Sequence, residues 1–280
     1  MSLPAPLQHP GPRAPDRFTA LPCRAKPLTL RLAAGRPLDQ AITEAFAAEG
    51  YGCGYLRLRD ASFTRLAYVI PDRAPGDGRA AWYSETYRLA PARLHDAGLH
   101  LGRREGAPFL HCHGLWSGAS GGDAADRRMG HLLMPESVLA EDTVAEGWGL
   151  SGAGFEVRPD AETGFDLFTP VAEAHVGEGQ PALLCKLGPN EDPHALLARA
   201  ASELTQARVE GIGSLVDTRF EDAMQESYAT EVLLHDGRIE RGAVRLEASS
   251  VGFDGVPGSG TLRPGANRTC ITAELLIIAA

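Results

Sequence analysis

The run Phe109-Leu110-His111-Cys112-His113, completed by Gly130-His131-Leu132, holds the residues of this chain best suited to chemistry. Side chains on a strand alternate faces, so His111 and His113 point the same way, roughly 7 Å apart, with Cys112 on the opposite face. Two imidazoles so placed can reach one metal ion at about 2.0–2.1 Å. A third imidazole, His131, arriving from a neighbouring strand would complete a three-histidine site with an open coordination position. There a bound water becomes a nucleophile, or a substrate oxygen is polarised. Spacing alone fits equally well with two strand histidines and one turn histidine that hold no metal, because short His-x-His matches are common accidents.

An enzyme built on such a site needs a general base within one hydrogen bond of the activated water. Asp123 and Glu136, which bracket the third histidine, are the candidates, and each also reads as an ordinary surface carboxylate. Trp116 either walls the pocket or packs between subunits. No Ser-His-Asp order, nucleophile elbow or Walker loop is evident. Gly211-x-Gly213-Ser214 reads as a tight turn and not a phosphate cradle, because strand-like Leu215-Val216 follows where a helix would have to open.

The elements that must position these residues are mostly short strands. Apolar runs at Leu28–Leu32, Cys53–Leu58, Leu66–Ile70, Ala92–Leu101 and Val144–Leu150 read as strands. Leu38, Ala41, Ile42, Ala45 and Phe46 fall at helical spacing, so Leu38–Glu49 is expected to be an amphipathic helix that Gly50 stops. Residues 156–179 are acidic, contain Pro159, Pro170 and Gly177, and show no period, which marks a domain boundary.

Read with its surroundings, the histidine segment resembles the plant- and prokaryote-conserved (PCC) domain, which in plants accompanies AT-hook DNA-binding tails. The family pattern is an apolar strand ending in His-x-His, a variable Gly- and Asp-containing turn, then Gly-Gly-His-Leu. FLHCHG at 109–114, the Gly-, Ser- and Asp-rich turn at 117–126 and GHLL at 130–133 carry the resemblance, with Met129 replacing the first Gly of the pair. The resemblance implies a homotrimer of a small α+β domain, with a divalent metal, zinc foremost, on His111, His113 and His131. It implies no particular reaction.

The second half echoes the first. Leu30-Arg31-Leu32 corresponds to Cys185-Lys186-Leu187, Leu94-His95-Asp96 to Leu234-His235-Asp236, and Gly130-His131-Leu132 to Gly260-Thr261-Leu262. A second helix is expected from about Pro193 to Leu204. The expectation is therefore an α+β protein of two tandem PCC-like domains, each an antiparallel-rich sheet packed with an amphipathic helix. A Pro-rich arm covers 1–25, the domain bearing the histidines 26–155, a linker 156–179 and the second domain 180–280. That second domain lacks the histidines: Leu246-Glu247-Ala248-Ser249 stands where His-Cys-His would be, and Thr261 replaces the third His. One metal site per chain follows.

Composition narrows the functions. A hydrophobic content of 44% suffices for a normal core, and no run of about 18 apolar residues suggests a membrane span. The Pro-rich start lacks the apolar centre of a signal peptide, so the default compartment is the cytoplasm. Five scattered cysteines argue against a disulfide framework and a thiolate zinc site. A formal net charge of −9 makes DNA an unexpected partner, since phosphate contacts supply most nucleic-acid affinity. Gly35-Arg36-Pro37 is part of an AT-hook core, but Ala34 precedes it and no basic cluster flanks it, so a turn leading into the helix is expected. Three functions remain: a metal-dependent enzyme of hydrolase or lyase type or small-molecule binder, a DNA-associated regulator, and a structural oligomerisation module.

Overall fold

A computed structural model of the chain describes residues 4–118, 126–202 and 204–280. Its principal strands are β1 (Phe18–Leu32), β2 (Gly54–Val69), β3 (Ala92–Arg104), β4 (Ala107–Gly118), β5 (Arg128–Leu132), β6 (Thr143–Ser151), β7 (Ala153–Asp160), β8 (Phe165–Ala172), β9 (Gln180–Leu187), β10 (Gln206–Val216), β11 (Thr230–Glu240), β12 (Ala243–Val251), β13 (Pro257–Thr261) and β14 (Arg268–Ala279). Helices α1 (Leu38–Ala48) and α2 (Pro193–Ala200) follow β1 and β9.

The alternation in β1 is direct: Leu28, Leu30 and Leu32 are buried while Thr29 and Arg31 face solvent. β14 instead is buried along nearly its whole length, as its Leu275-Leu276-Ile277-Ile278 run requires. In α1 the expected residues Leu38, Ala41, Ile42 and Phe46 form the buried face. Pro37 ends the turn that leads into that helix, as anticipated. In α2, Pro193 takes the first turn and the Asp192 carboxylate accepts the His194 N–H at 2.9 Å.

The α+β expectation is overturned. Among the described residues the two α-helices are 11 and 8 residues long, and strands make up most of the rest. Two such short helices cannot form a layer; most of the core is closed by sheet folding onto sheet. One large sheet runs β8-β7-β3-β4-β5-β2-β6-β1-β9-β14-β10-β11-β12-β13, with an extra β2–β3 pairing. The first half pairs in the order β1-β6-β2-β3-β4-β5, and the second in the order β9-β14-β10-β11-β12-β13. These are the same ladder written twice. Matching bulges interrupt β3 between Leu94 and Asp96 and β11 between Leu234 and Asp236. His95 meets Ser117 at 3.0 Å, as His235 meets Ser249 at 2.5 Å.

Three stretches differ from expectation. Residues 156–179 do not form an irregular linker: most of β7 and all of β8 lie there, paired as a hairpin from Ala153↔Ala172 to Asp160↔Phe165. Pro170 is tolerated because β8 is the terminal strand of the sheet, and Pro159 because β7 meets β3 only at Glu156↔Arg103, which leaves its far side unpaired beyond that point. The Pro-rich arm is also partly ordered, since Phe18 to Ala25 pair with β9 and so join the halves. Gly211-Ile212-Gly213-Ser214 is neither cradle nor turn but lies inside β10, at a bulge between Val209 and Ile212. No described helix is long and apolar enough to cross a membrane.

The halves also pack face to face. Ile212, Leu233 and Val251 of the second half join the core cluster of the first. Arg57, 6% exposed, reaches across from β2: its Nε donates to Asp96 at 2.6 Å, and its Nη1 donates to the Leu234 carbonyl.

Candidate metal centre

The three histidines converge. His113 on β4 lies directly opposite His131 on β5 in the ladder, and His111 is two residues back on the same face. Ring centroids lie 4.9 Å apart for His111 and His113, 4.9 Å for His111 and His131, and 5.7 Å for His113 and His131. One nitrogen from each ring lies within 4.8 Å of the others. Tetrahedral coordination needs these atoms about 3.3 Å apart, so modest side-chain rotation closes the set on an ion. Cys112 points to the opposite face and is fully buried, where burial pushes its thiol up.

The hydrogen bonds select the nitrogens. His113 Nδ1 lies 2.9 Å from the Val232 carbonyl, which can only accept, so Nδ1 carries the proton and Nε2 presents a lone pair. That Nε2 is buried and lacks a hydrogen-bond partner among the described residues. His111 Nδ1 lies 2.8 Å from Glu274 Oε2, the carboxylate–histidine arrangement that orients an imidazole toward a metal. His131 Nδ1 faces the Tyr83 hydroxyl at a long 3.5 Å. A bare, buried Nε2 beside two further imidazoles is a donor set that suits a divalent ion.

Two carboxylates from the second half complete the floor. Glu274 on β14 is 1% exposed and Glu231 on β11 is 5% exposed, its Oε2 lying 3.5 Å from His113 Nε2. Burial raises the Glu231 carboxyl well above its ordinary range, and the Glu274 charge adds to the effect. Close strand approach makes room for Glu274: a Cβ on Gly211 would meet the Glu274 carbonyl oxygen at 2.3 Å. These five side chains open into a cavity of about 290 Å³, walled by Phe109, Phe165, Leu167, Phe168 and Trp82.

The other candidates from the sequence are not brought here. Glu136 sits in an exposed turn and pairs with Arg88 at 2.7 Å, outside the cavity lining. Asp123 lies outside the described residues. Trp116 is fully buried on the Cys112 side of β4, 4.9 Å from Tyr68, so it packs in the core and walls no part of this pocket. Sequence reasoning passed over Glu231 and Glu274, although each is a lone charge in an apolar strand: Thr230-Glu231-Val232-Leu233 and Ala273-Glu274-Leu275-Leu276. In the second half, counting from the shared bulge places Arg245 at the position of His113, where it pairs with Glu247 at 2.5 Å.

Burial also sets an acid limit. The His131 imidazole is pushed down to about 3 by burial and the neighbouring His111. His100, which donates to the Glu274 carbonyl at 3.0 Å, is pushed by burial to about 4. Both are neutral in the fold and take up protons first in the unfolded chain, near pH 6.5. Stability is therefore whole above pH 6.5 and falls as pH drops toward 4. Urea unfolding of metal-free protein should show about 2 kcal/mol lost from His100 alone between pH 7 and pH 5. Equal stability at the two values would mean these rings are not held neutral.

No protein-family model and no curated protein matches the chain. Similar solved structures include a metal-containing protein from Archaeoglobus fulgidus, at 22% identity and a TM-score of 0.39, covering 52% of this chain and 94% of that one. A plant- and prokaryote-conserved (PPC) protein from Pyrococcus horikoshii is 16% identical with a TM-score of 0.40, over 54% of this chain and 96% of that one. A conjectured DNA-binding protein from Ralstonia eutropha is 12% identical with a TM-score of 0.39, over 50% and 89% respectively.

Proposed function

We propose that this chain is a tandem PCC-like protein that holds one divalent metal, zinc foremost, on His111, His113 and His131, beside a small-molecule pocket. The observation that carries the reading is the bare Nε2 of His113, buried, unpartnered and facing two other imidazoles. When bound, a metal with an open position supplies a Lewis acid that polarises a ligand oxygen. This chain's own residues do the rest. Val232 and Glu274 orient two of the imidazoles, the apolar walls exclude water, and Glu231 can hold a proton 3.5 Å from His113 Nε2. The repeated strand order supports the tandem reading. The net charge of −9 weighs against nucleic acid as partner.

Elemental analysis should find about one zinc per chain at full loading. Glu274→Gln keeps the shape but removes the carboxylate behind His111, and should weaken metal affinity roughly 10- to 100-fold. Wild-type affinity in that variant would remove the orienting role. Mass measured before and after chelation tests the homotrimer that the family resemblance implies and whether the metal ties subunits together. An unchanged mass favours the enzyme or binder over the structural module.

A further inference from the structure

The cavity beside the histidines has a chemical character that narrows what it can take. At its floor three buried polar atoms lack hydrogen-bond partners among the described residues: His113 Nε2 and Glu231 Oε2, which lie 3.5 Å apart, and Thr272 Oγ1. Unsatisfied groups of this kind are costly unless something arrives to pair with them. Its walls are aromatic, with Trp82 stacked on Phe165 at 5.4 Å and Phe109 edge-on to Phe168 at 5.7 Å. Trp82, Tyr83 and Phe109 are each more than a third exposed at its mouth, although Arg79 lies 4.2 Å over Trp82 and Arg104 5.5 Å over Phe109 on the outer side.

Charge supplies the third constraint. Among the described residues no lysine or arginine lines the cavity: Arg79 and Arg104 stay at its rim, Arg104 paired with Asp166 at 2.7 Å, while Glu231 and Glu274 form the floor. Phosphate is normally captured by guanidinium or ammonium groups, and here it would meet carboxylates instead. The volume, about 290 Å³, is roughly twice that of a cavity known to hold one benzene ring.

We infer that the pocket takes an uncharged one- or two-ring aromatic molecule carrying a single hydroxyl, a phenol in the broad sense, and rejects its phosphorylated counterpart. The hydroxyl donates to Glu231 Oε2 and accepts from Thr272 Oγ1, while the rings lie against Phe109 and Phe168. The further placement of that oxygen at the open metal position rests on the metal-site reading above; the ring and phosphate preferences do not.

The test is calorimetric titration of the full chain, cobalt-loaded and chelator-stripped, with 2-naphthol and with 2-naphthyl phosphate. In the stripped form 2-naphthol should bind at least about tenfold more tightly than the phosphate ester, and the cobalt-loaded form shows what the metal adds to either probe. Phe109→Ala, at the exposed rim, should lower 2-naphthol affinity by roughly three- to tenfold, the scale of one aromatic contact. The isosteric Thr272→Val should lower it by a similar factor. Equal binding of the two probes to stripped protein, or unchanged affinity in both variants, overturns the inference. The metal reading fails separately: cobalt uptake, followed by its visible bands before any probe is added, would then be the same in wild type and His113→Ala. In that event the comparison on stripped protein still decides the ligand class.

Discussion

Replacing His113 by Ala is expected to lower metal affinity by two orders of magnitude or more while leaving the chain folded. Of the three imidazoles it is the one whose geometry is most fully fixed. It is 2% exposed, its Nδ1–H is committed to the Val232 carbonyl at 2.9 Å, and its Nε2 has no hydrogen-bond partner among the described residues. Structural zinc in small peptides gains on the order of 10–16 kcal/mol from four ligands, so one ligand carries roughly 3 kcal/mol. The two remaining histidines would form a weak chelate. Competition against a chromophoric chelator measures the loss, and undiminished affinity would remove His113 from the site. Melting the variant beside stripped wild-type protein adds a second reading. Similar melting temperatures and masses mean that the metal serves chemistry or binding, whereas a drop in mass means that it ties subunits together.

The largest effect on stability is expected from Arg57→Ala, a loss of about 3–5 kcal/mol, the usual result of breaking a buried ion pair from one side. Arg57 is 6% exposed, and its guanidinium spans both halves: Asp96 receives Nε at 2.6 Å and Nη2 at 2.5 Å, while Leu234 and His235 lie across the interface. Burial alone would raise the Asp96 carboxyl, but hydrogen bonds from His235 and Arg57 hold it at about 2. Without Arg57 that half-buried carboxylate keeps His235, at 2.8 Å, and the exposed Arg59, at 3.6 Å, to compensate it. The melting temperature should fall by on the order of 10 °C. Adding Asp96→Asn in the variant background should restore part of the loss, because the stranded charge is then gone. A single-variant cost below about 1 kcal/mol would mean that this pair does not join the halves.

What the sequence determined by itself was local. Alternation and helical spacing placed most of the first half's strands and both helices, because burial of one face imposes a period of two or of 3.6 residues. The His-x-His spacing set two imidazoles on one face, and the echo between Leu94-His95-Asp96 and Leu234-His235-Asp236 lies at matching bulges in the two ladders. Only the tertiary structure decided what lies opposite those imidazoles. Glu231 and Glu274 are 100 or more residues away in sequence from His131 and reach the site because β11 and β14 pack against the histidine strands. No local period encodes such an approach; it comes from the shared core of the halves and from glycines that let strands come close. The same reason turned Trp116 into core and the residues after 156 into a hairpin. Strand pairing is long-range, and residues that look irregular alone become ordered when a neighbouring strand supplies their hydrogen bonds.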